Sequence, residues 1–474
     1  MNPDTSETLA IDAPELLPLG SAASVPPVPA SLRRARARIG LGLALSDAQA
    51  AALRDVRRAL IGSRLLIWIV GIAAVAVIGG HADLHDAYDP PGVTSGFGWL
   101  GNALVAPAAR WDAAWYLVIA GHGYEPGLGL ATAARPAFFP LYPWLVGLFA
   151  DGGLALVISG VLVSLAALAL ALYGLHRLID LELRAPHAWA HPDVPRLAVM
   201  LTAFAPMAFF LSAVYSESLY LALSIGVFWY ARQGRWFWVG VLGGLGAATR
   251  SAGVVLLLPA VLLYFYGPRE DRWPDRELVA RWRPRYRLRA DVAWLALIPA
   301  GLLAYMAWIA LSGGDFMMPL HAQATWSRQF SGPFGAVKDG AVAAFDGLRQ
   351  IILGSRRPVY YSQAGGSPFI AASHNIVLFV FLLAAVPAIV GVLRKLPFAY
   401  GAYVLAALAM PLSDPNLPQP LMSLPRFLLV LFPLQIWLAA MLATRRWWRW
   451  AVFACSGLGL VFFTGQFATW HWVA

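Results

Sequence analysis

A carboxylate flanked by tryptophans lies in the part of the sequence best suited to chemistry. Asp112 lies between Trp111 and Trp115 in the run Arg110-Trp111-Asp112-Ala113-Ala114-Trp115-Tyr116. Apolar neighbours reduce the solvation of a carboxylate and make it a better proton acceptor, as a general base requires. The alternative is a structural role, because Asp is a favoured N-cap and a helix is predicted over Ala113 to Ala120. The pattern is compatible with both roles.

A second carboxylate lies in the turn Tyr215-Ser216-Glu217-Ser218, between two apolar segments. Glu217 is interpreted either as a helix cap or as a ligand for sugar hydroxyls. Arg250 and Arg426 lie at the ends of other apolar segments. A guanidinium pairs bidentately with phosphate, so both are candidates for a phosphate ligand, with lipid headgroup binding as the alternative.

A third group of candidates lies in the loop segment Asp315 to Trp326. The predicted topology places this segment on the same side of a bilayer as Asp112, Glu217, Arg250 and Arg426. Ionisable groups at span ends can also be simple interfacial anchors. The predicted catalytic residues are Asp112 and Glu217, and the predicted substrate-binding residues are Arg110, Trp111, Trp115, Tyr116, Tyr215, Arg250, His321, Gln323, Trp326 and Arg426.

Imidazoles and carboxylates at short spacing form a separate cluster after the first apolar segment. Such side chains can bind a divalent cation, but no pair has a defined helical spacing. A solvated loop face is the favoured interpretation, so neither a metal nor another cofactor is predicted. The cluster comprises His81, Asp83, His85, Asp86 and Asp89.

Composition indicates a membrane environment for these groups. The chain has 474 residues, 59% hydrophobic and 13% charged, whereas soluble domains average about 25% charged residues. The net charge of +10 does not indicate nucleic acid, because the Arg residues lie between apolar segments, where they favour cytoplasmic loops and contact with anionic lipid. The single cysteine, Cys455, excludes an intrachain disulfide and a Cys-based zinc site. No cleavable signal peptide is visible.

Hydropathy and basic turns predict an all-α, polytopic protein with about eleven spans and a cytoplasmic N-terminus. Residues 1–58 are predicted as a disordered, basic tail, and residues 59–474 as one transmembrane domain with outer loops at 80–136 and 312–372. Several middle spans are short, which would leave a cavity above them. The predicted spans are Ile61–Gly79, Leu154–Leu175, Leu197–Val214, Leu219–Ala231, Trp236–Thr249, Gly253–Phe265, Trp294–Leu311, Asn375–Val392, Phe398–Leu412, Phe427–Ala443 and Trp450–Thr469.

The order and spacing of several motifs resemble the PIG-V-type GPI mannosyltransferase II family, in its bacterial branch. Each motif is weak alone, and the resemblance covers most of the chain from about Arg58 onward. The motifs are the run around Asp112, Gly121-His122-Gly123-Tyr124, Phe138-Phe139-Pro140-Leu141-Tyr142-Pro143, Tyr215-Ser216-Glu217-Ser218-Leu219, Ala248-Thr249-Arg250-Ser251-Ala252-Gly253 and Leu424-Pro425-Arg426-Phe427.

The resemblance implies a GT-C fold and a polyprenyl-phosphate-linked hexose donor, with mannose as the expected hexose, used at the outer face with inversion. Asp112 is similar to the essential first-loop aspartate of GT-C enzymes. These enzymes often have a paired acidic motif there. Trp111 occupies the neighbouring position here, so a second carboxylate must come from elsewhere, with Glu217 as the candidate. The eukaryotic acceptor is not transferred, because bacteria generally lack GPI anchors.

These inferences combine into a hypothesis of a glycosyltransferase in the bacterial inner membrane, with its site on the extracytoplasmic side. Asp112 would accept a proton from an acceptor hydroxyl or orient that hydroxyl. Arg250 and Arg426 would stabilise the leaving phosphate, and Glu217 and His321 would hold sugar hydroxyls. The acceptor is a glycolipid, a glycan or a protein. A transporter or lipid flippase is the main alternative, which predicts charges near mid-span and related halves. A non-catalytic scaffold would leave the loop around Asp112 unexplained.

Overall fold

A computed structural model describes residues 46–79, 92–124, 132–184, 191–275, 283–356 and 367–473. Within these ranges the regular elements are helices and there is no strand; isolated bridges occur, among them the bridge between Arg328 and Asn416. The prediction of an all-α protein is therefore confirmed for the described residues. The predicted tail falls mainly on residues 1–45, outside them. Residues 47–58, also assigned to that tail, form the start of the first helix instead.

Five helical segments are long and apolar enough to cross a membrane by length and composition. A helix rises 1.5 Å per residue, so about 20 residues are needed for the hydrocarbon layer. These segments are α1 (Asp47–Ile78), α5 (Gly153–Glu182), α10 (Leu297–Leu311, preceded by the 3₁₀ turn Ala290–Ala296), α13 (Pro368–Lys395) and α17 (Arg446–Ala468).

The remaining helices are shorter. One pair, α15 (Leu424–Val430) and α16 (Phe432–Ala443), passes the same test together but is bent by 73°. Counting this pair as one span gives six, so the predicted number of about eleven is not confirmed. The other helices are α2 (Gly98–Leu104), α3 (Ala113–His122), α4 (Leu141–Leu148), α6 (Val194–Ala203), α7 (Glu217–Arg232), α8 (Trp236–Thr249), α9 (Leu257–Tyr266), α11 (Met318–His321), α12 (Gly335–Leu353) and α14 (Phe398–Ser413).

The span predicted from Leu197 to Val214 is not one helix. Helix α6 ends at Ala203, and an irregular stretch with a 3₁₀ turn at Ala208–Leu211 follows. Pro206 explains the break, because proline lacks the amide donor and disfavours the α conformation of the residue before it. The break leaves Phe210 in the 3₁₀ turn and Tyr215 in irregular backbone before α7.

Glycines on α8 allow it to pack closely against α10. A Cβ built on Gly240 would collide with the Trp294 carbonyl, and one on Gly243 would lie 2.5 Å from the Ile298 side chain. A Cβ built on Gly301 of α10 would likewise collide with the Gly244 carbonyl. Small residues on facing helices permit such backbone contact.

Four separate elements end near one another and form the candidate site. Asp112 immediately precedes α3, and Glu217 is the first residue of α7. Arg250 follows the last residue of α8, and Arg426 lies in the first turn of α15. The fold therefore brings together the ends of helices that are far apart in sequence.

Candidate active site

Arg426 joins the two candidate carboxylates. Its Nη1 donates to Oδ2 of Asp112 at 2.8 Å, across 314 residues of sequence. Its Nε and Nη2 donate to Oε1 of Glu217 at 3.1 and 2.9 Å. The guanidinium lies over the rings of Phe210 and Tyr215, with its carbon 4.8 and 4.9 Å from their centroids. These contacts fix Arg426 in one orientation, as planar guanidinium groups allow.

Glu217 is a fully buried carboxylate with two cationic partners. Its Oε1 also accepts from Nη1 of Arg250 at 3.0 Å, and its side chain is 0% exposed. The second oxygen, Oε2, has no hydrogen-bond partner among the described residues. Burial of a carboxylate is costly unless it is paired, which is the function these two arginines perform. Glu217 is the first helical residue of α7, and Ser216 occupies the cap position.

Asp112 occupies the N-cap position of α3, but its side chain makes no capping hydrogen bond. The carboxylate is used for Arg426 instead. Its other oxygen, Oδ1, accepts no hydrogen bond from the described residues, and the side chain is 14% exposed. Asp112 therefore occupies the N-cap position without capping the helix. Its Oδ1 remains available to accept a hydrogen bond from another group.

The backbone just before Asp112 is strained. Trp111 has φ of +56°, a left-handed conformation that is uncommon for a bulky residue. The indole of Trp111 packs edge-on against Trp470 and Trp472, with ring centroids 5.7 and 5.1 Å apart. Strained residues persist where their surroundings hold them, and they cluster at functional sites. The segment after α17 thus holds the turn that presents Asp112.

Arg110 ties the same turn to the end of α17. Its Nε donates to the Ala468 carbonyl at 3.2 Å, and its guanidinium lies 4.6 Å from the ring centroid of Trp470. The Arg110 carbonyl in turn accepts from the Tyr215 hydroxyl at 2.9 Å. Arg110 is 2% exposed. These contacts indicate that Arg110 and Tyr215 position the site.

Aromatic rings cover the other side of α3. Trp115 stacks on Phe138 at 5.5 Å, and Trp326 meets both rings edge-on at 6.5 and 5.8 Å. Tyr116 shares a 2.9 Å hydrogen bond with the Ser216 hydroxyl, next to Glu217. Trp326 belongs to the long loop, so the structure brings this predicted residue to the loop around Asp112.

The structure does not bring His321 to the cluster. Its side chain is 70% exposed, and Nδ1 lies 2.9 Å from Oδ2 of Asp315. Gln323 lies in the 3₁₀ turn Ala322–Trp326 and is half-buried. The candidate metal cluster, from His81 to Asp89, lies outside the described residues.

Sequence reasoning missed Arg328, two residues beyond the predicted segment. Its Nη1 donates to the Asp414 carbonyl at 3.1 Å, and its backbone pairs with Asn416. No carboxylate lies within 4.0 Å of its guanidinium among the described residues. Burial lowers the pKa of Arg328 below its ordinary value, Asp414 and Asp112 raise it, and Arg426 lowers it. Arg328 is therefore close enough to Asp112 and Arg426 to interact electrostatically with both.

The sequence of residues 57–261 matches the family described as mannosyltransferase (PIG-V). Among curated proteins, the chain is similar to GPI alpha-1,6-mannosyltransferase 2 of Mus musculus, with 29% identity over 272 residues, 54% of this chain and 51% of that protein. The Homo sapiens protein of the same name is 31% identical over 214 residues, 43% of this chain and 41% of that protein. The chain spans about half the length of the curated relatives it matches.

Among solved structures, the chain aligns with the oligosaccharyltransferase of Archaeoglobus fulgidus in its apo form. The TM-score is 0.40 at 12% identity, covering 87% of this chain and 56% of that chain. A structure of the same archaeal enzyme with an inhibitory peptide and a dolichol-phosphate has a TM-score of 0.37 at 12% identity, covering 86% and 56%.

Proposed function

We propose that this chain, whose residues 57–261 match the mannosyltransferase (PIG-V) family, is a membrane glycosyltransferase of the GT-C type. It transfers a hexose, mannose in this proposal, from a polyprenyl-phosphate carrier to an acceptor hydroxyl on a glycolipid, a glycan or a protein. The reaction takes place at the extracytoplasmic face of a bacterial inner membrane. The observation that carries the proposal is the cluster in which Arg426 holds Asp112 and Glu217 together.

Asp112 acts as the base in this proposal. Its free oxygen, Oδ1, accepts the proton of the acceptor hydroxyl while that oxygen attacks the anomeric carbon. The bond from that carbon to the phosphate oxygen breaks on the opposite side, and its electron pair leaves with the phosphate. This single displacement inverts the anomeric configuration. General-base assistance of this kind contributes about 10²- to 10⁴-fold to rate.

Cationic groups stabilise the phosphate as it leaves. Arg426 is occupied by two carboxylates, so we assign it to positioning. Arg250 uses only Nη1 for Glu217 among the described residues, and Arg328 contacts only a carbonyl through its side chain. Both therefore keep N–H groups for an anionic oxygen, and guanidinium donors in a partly buried site are effective phosphate partners.

The placement of the charges favours transfer over transport. Asp112, Glu217, Arg250 and Arg426 lie at or next to helix ends. A transporter would place its ionisable groups near mid-span, at the interface of two repeats.

The test uses the full chain, purified and reconstituted into liposomes with polyprenyl-phosphate [³H]mannose. We expect the label to move onto an acceptor added as a bacterial glycolipid extract, with the opposite anomeric configuration. Movement of intact donor across the bilayer without transfer would instead support a flippase. The control is the Asp193→Asn variant, since the Asp193 side chain is half-exposed and, among the described residues, pairs only with Arg449, at 3.7 Å.

A further inference from the structure

A small cavity lies beside the site, between the beginning of α13 and the end of α17. It has a volume of about 120 Å³. His374 lines it from α13, Gln419 from the loop before α15, and Gln466 and Phe463 from α17. The cavity is open to one side, where Phe462 also lines it and is 58% exposed. An amphipathic molecule could therefore enter from the surroundings of the helices.

The cavity shares a wall with the candidate active site. Trp472 lines the cavity, and its ring meets that of Trp111 edge-on at 5.1 Å. Trp111 is the strained residue immediately before Asp112. A molecule in the cavity therefore lies one indole away from the turn that presents the proposed base.

Several polar side-chain atoms in the cavity have no hydrogen-bond partner among the described residues. The Gln419 amide donates to Nδ1 of His374 at 3.4 Å, which leaves Nε2 of that imidazole without a partner among the described residues. The side-chain amide of Gln466 and the side-chain oxygen of Gln419 also make no hydrogen bond with described residues. Half-buried polar groups usually find partners, so these groups are suited to a ligand or to solvent.

The chemistry of the lining indicates a neutral, hydroxyl-rich ligand. None of the described residues lining the cavity is Asp, Glu, Lys or Arg. A phosphate or another ion would remain unpaired there, at a high desolvation cost. Amides both donate and accept, which matches adjacent hydroxyl groups, and the rings of Phe463 and Trp472 offer flat apolar surfaces.

We propose that this cavity binds a saccharide unit of the acceptor, adjacent to the unit whose hydroxyl reaches Asp112. The glycone inserts between Gln419, Gln466 and Trp472, and any apolar tail lies toward Phe462. The identification of the ligand as the acceptor rests on the proposed function. Binding of a saccharide in the cavity is tested without turnover.

The experiment measures where a glycoside binds. The full chain in phosphatidylcholine nanodiscs is irradiated with octyl α-mannoside carrying a diazirine on its sugar, and labelled peptides are mapped by mass spectrometry. We expect labelling of the segments around Phe463 and Trp472, competed by excess methyl α-mannoside. Gln419→Met and Gln466→Met preserve side-chain volume but remove hydrogen bonds, so each should reduce labelling about fivefold.

The matched control is Gln233→Met. Gln233 is a half-buried glutamine that follows α7, at the opposite end from Glu217, and it should label like the wild type. Labelling unchanged in both cavity variants, or competed by decanol but not by methyl mannoside, would overturn the proposal by showing a site for an apolar chain. Absence of cavity labelling with normal mannose transfer would overturn only the subsite. Cavity labelling without any transfer would leave the subsite standing and contradict the proposed function.

Discussion

At the residue scale, the site depends on one buried guanidinium shared by two carboxylates. Each carboxylate by itself has an ordinary structural explanation, as a helix cap or an interfacial anchor. Neither explanation accounts for the observed contacts, because Asp112 does not cap α3 and Glu217 is fully buried. Removing one partner from such a group leaves a buried charge uncompensated.

The variant Glu217→Gln tests this dependence. Loss of the carboxylate leaves Arg426 and Arg250 without their common partner, so we expect destabilisation of about 3–5 kcal/mol. Unfolding of the purified protein, followed by tryptophan fluorescence during heating, measures the effect. The control Glu270→Gln alters an exposed pair with Arg184 at 3.5 Å and should cost less than about 1 kcal/mol. Equal stability of the two variants would contradict the central place of Glu217.

Arg328 provides the second test at this scale. Removal of a guanidinium that contacts phosphate should raise the KM for the polyprenyl-phosphate donor about tenfold or more. We therefore expect this change in Arg328→Ala, measured by initial rates at varied donor concentration. Arg349→Ala is the control, since Arg349 is 53% exposed on α12 of the same loop and pairs with Asp346. An unchanged donor KM in Arg328→Ala would exclude its phosphate contact.

The sequence alone identified four of the clustered residues, because ionisable side chains at the ends of apolar segments are conspicuous. These residues are Asp112, Glu217, Arg250 and Arg426. It did not show that Arg426 pairs with Asp112, since 314 residues separate them and no local rule relates them. Arg328 was missed because it lies in a long loop without a hydropathy boundary. His321 was selected from that same loop, yet it pairs with Asp315 at the surface.

At the element scale, the turn before α3 is held by the end of α17. Trp111 adopts a left-handed backbone conformation, and Trp470 and Trp472 pack against its ring. Such a backbone costs roughly 1–2 kcal/mol for a residue other than glycine. The sequence could predict the helix after Asp112, but not this turn, because the aromatic partners lie at the opposite end of the chain.

A pair of substitutions separates backbone strain from ring packing. Trp111→Ala and Trp111→Gly both lose the contacts with Trp470 and Trp472, but only glycine adopts the left-handed conformation without cost. We therefore expect the glycine variant to be more stable than the alanine variant by about 1 kcal/mol. Thermal unfolding of both variants measures this difference in stability. A more stable alanine variant would mean that the turn relaxes and is not held.

At the scale of the whole molecule, the helices place the cluster at one end of α7 and a second buried pair at the other. Arg232, the last residue of α7, donates to Glu182 at 2.5 Å. The prediction of membrane helices is confirmed by five or six candidate spans. The predicted topology has about eleven spans because it counted short apolar segments. The structure forms most of these segments as helices too short to count as spans, breaks one after Ala203 and bends another by 73°.

Cysteine labelling tests the orientation proposed for this bilayer protein. In a Cys455→Ala background, His321→Cys should react with an impermeant maleimide on intact spheroplasts, because His321 lies in the predicted outer loop 312–372. Trp447 lies at the beginning of α17 and is 86% exposed. The Trp447→Cys variant should therefore react only after the membrane is permeabilised. The reverse pattern would place the Asp112 cluster in the cytoplasm and contradict the proposed use of an outward-facing donor.

The most direct measurement is the initial rate of mannose transfer from radiolabelled polyprenyl-phosphate mannose by purified Asp112→Asn. The substitution preserves shape but removes the proton acceptor, so the rate should fall about 10²-fold or more. Parallel thermal unfolding ensures that the variant is folded. A folded Asp112→Asn protein with a rate near that of the wild type would show that Asp112 is not the base.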